Sequence, residues 1–193
     1  MSLVPNAAQQ RVYVPTAEGL AAYAEKALHS PNLYLWGGIG EYLTDEILDE
    51  KIACFPDWYI PERVEFRRQL CNRGLRGYDC IGLIESYLWN DYHQGNPYFF
   101  QPEQWYSTAE LIKMDVPRGP LDTLPERPGM VLWRKGHVGV YMGQGRVIEM
   151  TCRRPGTITM DRRIGGVVET TIAEVAGTEL AWTRWLEFPG IKY

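Results

Sequence analysis

Residues Tyr78-Asp79-Cys80-Ile81-Gly82-Leu83 set a cysteine in the first turn of an expected helix, directly after an acidic residue. A glycine-bearing stretch, Gly74 to Gly77, leads in, and an amphipathic run, Leu83 to Trp89, leads out. Unpaired N–H groups and the positive end of a helix dipole favour a thiolate at such a place, the form that attacks carbonyl carbon. A second stretch, Gly136-His137-Val138-Gly139-Val140-Tyr141, opens a predicted strand with a histidine. A cysteine with a distant histidine is the pairing used by thiol acyl-transfer chemistry, in which the imidazole handles the proton.

The strand register supplies a third group. Along the strand from His137, residues His137, Gly139 and Tyr141 share one face, while Val138, Val140 and Met142 share the core face. A three-residue loop Gly143-Gln144-Gly145 opposes Met142 to Arg146 and Gly139 to Glu149. Glu149 then lies on the His137 face, diagonal to it at about 7–8 Å between Cα atoms, within reach of a long side chain. A two-residue loop is expected to turn Glu149 onto the valine face, where an unpaired carboxylate costs several kcal/mol. The three-residue loop is therefore preferred, and Glu149 becomes the carboxylate that orients the imidazole. Thr151, directly opposite His137 in the same register, is its rival.

These groups need a scaffold. Thr16 caps a first helix whose stripe is Leu20, Tyr23, Ala24, Ala27 and Leu28, and Pro31 stops it. Tyr34-Leu35-Trp36-Gly37-Gly38 follows as a short aromatic segment ending in a glycine turn. Residues 41–76 read as a helical insertion: one helix capped by Thr44 and ended by Pro56, another from Pro61 through Leu70. The helix from Cys80 carries Leu83, Ile84, Tyr87 and Leu88 on the cysteine's stripe, so that Cys80 faces the core side. Ser107-Thr108-Ala109-Glu110 has the form of a capping box. Strands are predicted at Met130–Arg134, His137–Met142 and Arg146–Met150, with weaker ones at Ile158–Met160, Gly166–Thr170 and Ala181–Phe188. Helices first and strands after give an α+β fold, a single domain over 17–193 with an extension at 1–16.

Composition limits the function classes. The chain has 193 residues, 45% hydrophobic and 23% charged, as for one globular domain. A net charge of −4 and a pI near 5.5 argue against a nucleic-acid binder. The pairs Arg67-Arg68, Arg153-Arg154 and Arg162-Arg163 are expected on the solvated surface. No apolar run reaches membrane-spanning length. The start lacks a signal-peptide h-region; Met1-Ser2-Leu3 has the look of a cloning leader, which leaves room for a removed export signal. The four cysteines form no C-x-x-C and the three histidines are scattered, so no metal is expected. Cys54 with Cys71 is the one disulfide to entertain; otherwise the thiols are buried and free. His29 and His93 are expected on the surface, and Trp58, Trp89 and Trp105 in the core.

In this order, Tyr34-Leu35-Trp36-Gly37-Gly38, Tyr78-Asp79-Cys80-Ile81-Gly82-Leu83, and Gly136-His137-Val138-Gly139-Val140-Tyr141 with Val147-Ile148-Glu149 resemble the NlpC/P60 family. Those proteins are papain-like cysteine peptidases and amidases that cut peptidoglycan stem peptides. The likeness runs from residue 17 to residue 188. It implies N-terminal helices packed on a C-terminal antiparallel sheet, with Cys80 as nucleophile and His137 as base. It also implies that Tyr34 and the Cys80 N–H hold the oxyanion, that Glu149 fills the third position, and that Asp79 and Trp36 line the substrate site. No cofactor is implied; the partner is the cell wall, which also sets the place of action. Three features depart from the family pattern: Ile81 where serine is usual, Glu149 where histidine, asparagine or glutamine is usual, and the insertion, expected to line or cover the cleft. Alternatives are a wall-binding or structural protein on the same fold and a thioester acyltransferase.

Overall fold

A computed structural model of the chain describes residues 13–96, 99–157 and 161–193. The predicted strand at 158–160 and most of the extension at 1–16 lie outside the described residues. Thr16 accepts the Gly19 N–H and starts helix α1, Ala17–Leu28, whose stripe of Leu20, Ala21, Ala24 and Leu28 is buried. Strand β1, Asn32–Tyr34, follows at once, then β2, Ile39–Tyr42. Thr44 caps α2, Asp45–Cys54, and Pro61 opens α3, Pro61–Arg68. Strand β3, Arg76–Tyr78, leads to α4, Gly82–Leu88. Ser107 and Glu110 form the expected capping box on the short α5, Thr108–Leu111. The C-terminal half holds β4 (Arg118–Pro120), β5 (Val131–Arg134), β6 (His137–Gly143), β7 (Arg146–Thr151), β8 (Gly166–Thr171), α6 (Ile172–Val175) and β9 (Arg184–Leu186).

The fold is α+β. Among the described residues six strands form an antiparallel sheet in the order β4-β9-β5-β6-β7-β8. A smaller sheet, β1-β3-β2, was not expected: β1 runs parallel to β3, and β2 antiparallel. The insertion is thus two helices hung between neighbouring strands β2 and β3. Helix α1 packs on α4 and across β6, β7 and β8. Leu20, Ala24, Val138, Val140, Ile148, Met150 and Val167 form the core between them. The opposite face of the sheet is covered as well, by Leu132, Tyr141, Val147, Val175 and Trp182. Burial on both faces keeps β6 rigid from either side.

The hairpin between β6 and β7 corrects one expectation. Gly143 pairs with Arg146, so the loop is the two residues Gln144 and Gly145, both at positive φ (53° and 76°). That is the left-handed pair that a tight hairpin turn requires. A β-bulge between Tyr141 and Gly143 absorbs one residue, and from there Val140 opposes Ile148. The bulge reverses the parity that the shorter loop imposed. Glu149 therefore still lies on the His137 face. Two other expectations also change. All four cysteines are free, as preferred over a Cys54–Cys71 bridge, but Cys54 is exposed rather than buried. Arg67, expected in solvent, is wholly buried: its guanidinium donates to the Tyr34 carbonyl at 3.1 and 2.9 Å and lies 4.7 Å over the Trp58 ring.

Candidate active site

The loop that carries Cys80 is fixed by the residue before it. Asp79 Oδ1 accepts the N–H groups of Ile81 (3.1 Å) and Gly82 (2.7 Å), and Oδ2 accepts that of Gly37 (3.0 Å). The Asp79 N–H in turn donates to the Gly38 carbonyl at 2.9 Å. This stitches the glycine turn after β1 to the start of α4. A Cβ on Gly82 would sit 1.9 Å from the Gly38 carbonyl oxygen, so only glycine allows the approach. Burial lifts the Asp79 carboxyl to about 6 against the pull of those three amides. Its oxygens serve the backbone first, while the side chain also lines the cleft.

Cys80 lies two residues ahead of α4 and is 7% exposed. Burial, then the charge of Asp79, push its thiol well above the ordinary range, although the amides of Val138, Ile81 and Cys80 itself pull the other way. Burial and Asp79 thus work against the thiolate that the helix start favours: α4 has two turns, and its dipole opposes a larger desolvation. The Val138 amide that faces the sulfur belongs to the residue after His137, so the beginning of β6 lies against Cys80. No hydrogen bond between Cys80 and the imidazole is present among the described residues.

His137 is held from behind. Its Nε2 lies 2.7 Å from Glu149 Oε2. Glu149 is 1% exposed and also accepts from Arg134 Nη2 at 3.0 Å and from Thr170 Oγ1 at 3.0 Å. Although burial opposes it, these contacts hold the Glu149 carboxyl down at about 2. An ionised Glu149 fixes the proton on Nε2 and leaves Nδ1 with its lone pair free to accept a proton. Burial lowers the His137 pKa; Glu149 pulls it up, while the Arg134 and Arg153 charges add to the lowering. The balance is on the lowering side, so burial disfavours the imidazolium. The Trp182 ring stacks on the imidazole (centroids 5.7 Å apart, 27°) and carries the Arg134 guanidinium 4.4 Å from its own centroid. A Cβ on Gly139 would meet Trp182 at 2.9 Å, which is why the position beside the stack is glycine.

The cleft has two lobes that share Trp36 and Gly136. One, of about 270 Å³, is lined by Cys80, Asp79, Ile81, Glu85 and Trp105. The other, of about 220 Å³, is lined by His137, Tyr34, Arg134, Thr151 and Cys152. Tyr34 is 4% exposed, and its hydroxyl has no hydrogen bond among the described residues. Burial keeps its pKa well above the ordinary value, so the hydroxyl is a donor. Trp36 is 39% exposed and stacks on Trp58 from the insertion (5.8 Å, 18°), which makes the insertion part of the rim. Thr151 Oγ1 accepts the Arg153 N–H at 3.1 Å rather than the ring. Trp105, expected in the core, is 52% exposed, and His93, expected on the surface, is half-buried.

The structure therefore gathers Tyr34, Trp36, Asp79, Cys80 and His137 around one cleft, with Glu149 behind the histidine. Sequence reasoning missed Arg134, Trp182, Thr170, Glu85 and Arg67. Arg134 was within reach of the register argument: Lys135-Gly136 is a two-residue turn, so Arg134 pairs with His137 across the hairpin. Among the described residues no group of three or more histidine, cysteine, aspartate and glutamate side chains could hold a metal ion, and no helix is long and apolar enough to cross a membrane. No protein-family model, curated protein or solved structure matches the chain.

Proposed function

We propose that the chain is a cysteine hydrolase of the NlpC/P60 type, with a papain-like fold, that cleaves an amide bond in peptidoglycan stem peptides. The observation that carries this reading is the buried Glu149–His137 pair at 2.7 Å, with the other ring nitrogen left as base and the Cys80 sulfur against the next residue of the same strand. His137 Nδ1 takes the thiol proton as Sγ bonds to the substrate carbonyl carbon. The tetrahedral oxyanion accepts hydrogen bonds from the Cys80 N–H and the Tyr34 hydroxyl. The C–N bond then breaks, and the proton on Nδ1 passes to the departing amine. Water, deprotonated by the same nitrogen, splits the thioester and returns the thiol. Glu149 stabilises the imidazolium formed in between. Because burial biases both thiol and imidazole toward their neutral forms, the proposed proton transfer accompanies attack rather than preceding it. Asp79 holds the nucleophile loop, and Trp36 offers an aromatic wall to both halves of the substrate.

The test is digestion of purified peptidoglycan, with the new amino terminus identified by mass spectrometry. The native chain is expected to release fragments with one defined new amino terminus. Cys80→Ala and Cys80→Ser are expected to release none while keeping the native circular dichroism spectrum. Full release by either variant overturns the nucleophile assignment.

A further inference from the structure

We propose that the lobe carrying His137 is a carboxylate-binding subsite, so that the amine released from the cleaved amide bears an anionic carboxylate. This rests on the reading of His137 as the group that protonates the leaving amine, which puts the departing half of the substrate on the His137 side.

The two lobes differ in charge. Asp79 and Glu110 bring negative charge to the Cys80 lobe, whose Glu85 is biased to its neutral form by burial, and no lysine or arginine is among its described lining residues. The His137 lobe is lined by Arg134, Lys135 and Arg153, with Glu179 as its one carboxylate. Arg134 is taken up by Glu149 beneath it. Arg153 Nη1 meets Glu179 Oε1 at 2.9 Å, an exposed pair at the mouth. Lys135 is exposed at the tip of the β5–β6 turn and has no ion-pair or hydrogen-bond partner among the described residues. Once the two pairs cancel, its charge is left over, two residues ahead of the base. The Arg153 fork also keeps donors that one Glu179 oxygen does not use, and a guanidinium fork with an ammonium lining the same lobe suits a carboxylate. The same anion would be repelled by the acidic lobe, so the charge split also fixes which way round a substrate lies. The carboxylate has two sources, the end of a peptide chain or an acidic side chain.

The experiment measures binding by NMR titration to the full-length Cys80→Ala chain, which separates this inference from the hydrolysis assignment. The probes are N-acetyl-alanyl-alanine, its carboxamide, and N-acetyl-alanyl-glutamate α-amide. At least one free acid is expected to bind more tightly than the carboxamide, by about threefold per exposed charge pair. Preference for the first acid assigns a chain end, and preference for the second a side chain. Lys135→Gln and Arg153→Gln should each shrink the preference. Glu179→Gln should enlarge it by releasing Arg153, and about 0.5 M salt should collapse it. Equal binding of acids and carboxamide, or a preference that neither Lys135→Gln nor Arg153→Gln alters, overturns the proposal even if the wall is digested. A preference that behaves as described supports it even if the wall is not.

Discussion

Replacing Glu149 by glutamine removes a charge from a side chain that is 1% exposed and accepts hydrogen bonds from His137, Arg134 and Thr170. The amide oxygen cannot serve all three donors, and the amide nitrogen would face one of them. The Arg134 guanidinium, itself buried, loses its counter-ion and keeps only the Leu180 carbonyl and the Trp182 face. Breaking one side of a buried pair costs about 3–5 kcal/mol. A carboxyl held at about 2 in the fold, against its ordinary 4.5, points the same way, on the order of 3 kcal/mol with His137 protonated and less with it neutral. Because the folded value is depressed, that contribution is present above pH 4.5 and is lost as pH falls toward 2. Glu149→Gln should therefore lower the melting temperature at pH 7 by roughly 6–12 °C, and the gap to the native chain should narrow below pH 4.5. Arg134→Met with Glu149→Gln removes the stranded cation and should recover most of the loss. A Glu149→Gln chain that melts within 2 °C of the native one, or a double variant no more stable than the single, would refute the ion-pair reasoning. In activity, assayed well below these melting temperatures, Glu149→Gln should lose part and Glu149→Ala more. Thr151→Ala should lose little, since its hydroxyl serves the Arg153 amide.

Two other substitutions separate chemistry from stability. Tyr34→Phe removes a hydroxyl that has no hydrogen bond among the described residues, so the melting temperature should hold while kcat falls about 10²-fold with KM little changed; an unchanged kcat would take Tyr34 out of the oxyanion site. Glu85 is 2% exposed, and burial, against one hydrogen bond from the Tyr106 amide, raises its carboxyl to about 8. Because the folded value lies above the unfolded one, the native chain should lose on the order of 3–5 kcal/mol as pH climbs from about 4.5 to 8; urea unfolding should show Glu85→Gln matching the native chain at pH 4 and exceeding it at pH 9, and parallel pH profiles would count against a neutral Glu85.

The helices were legible because their signals are local. Thr16, Thr44 and Ser107 each cap the helix that follows, and Pro61 stands at the first residue of α3. The small sheet was not legible. Strands β1 and β3 have three residues each, too few to show an alternation, and their parallel pairing joins residues 32–34 to residues 76–78 across the whole insertion. Arg67 was misplaced for a related reason. A basic pair at the end of a short helix has the composition of a surface, and only the fold reveals that one of the two lies beneath Tyr34 against the Trp58 ring. The β6–β7 hairpin is subtler. Parity was right and the loop wrong, because a bulge and a shorter turn together shift the register by the same single residue as the longer turn alone.

The same division between chain neighbours and spatial neighbours runs through the site. Cys80, His137 and Glu149 could be found from their surroundings in sequence, since glycine spacing and strand parity are properties of the chain. Their protonation could not. The start of a helix argues for a thiolate, but Cys80 is desolvated beside the Asp79 carboxyl, and amide donors alone do not offset both. A carboxylate behind an imidazole argues for a readily formed imidazolium, but the Arg134 guanidinium shares that carboxylate and burial disfavours a second cation. Each partner is thus biased toward its neutral form chiefly by burial, which the fold sets, with Asp79 adding to it at Cys80 and Arg134 and Arg153 at His137. An ion pair formed in advance would place Cys80 reactivity under the imidazole alone. In the proposed mechanism, with both partners biased toward neutral, the sulfur would become nucleophilic only as the proton moves onto Nδ1, with a carbonyl in the cleft and the Tyr34 hydroxyl placed to receive its oxygen. On this account the buried Arg134–Glu149 pair does more than hold the ring in place: by sharing the carboxylate it limits how basic His137 can be, and so ties the reactivity of the thiol to an occupied cleft.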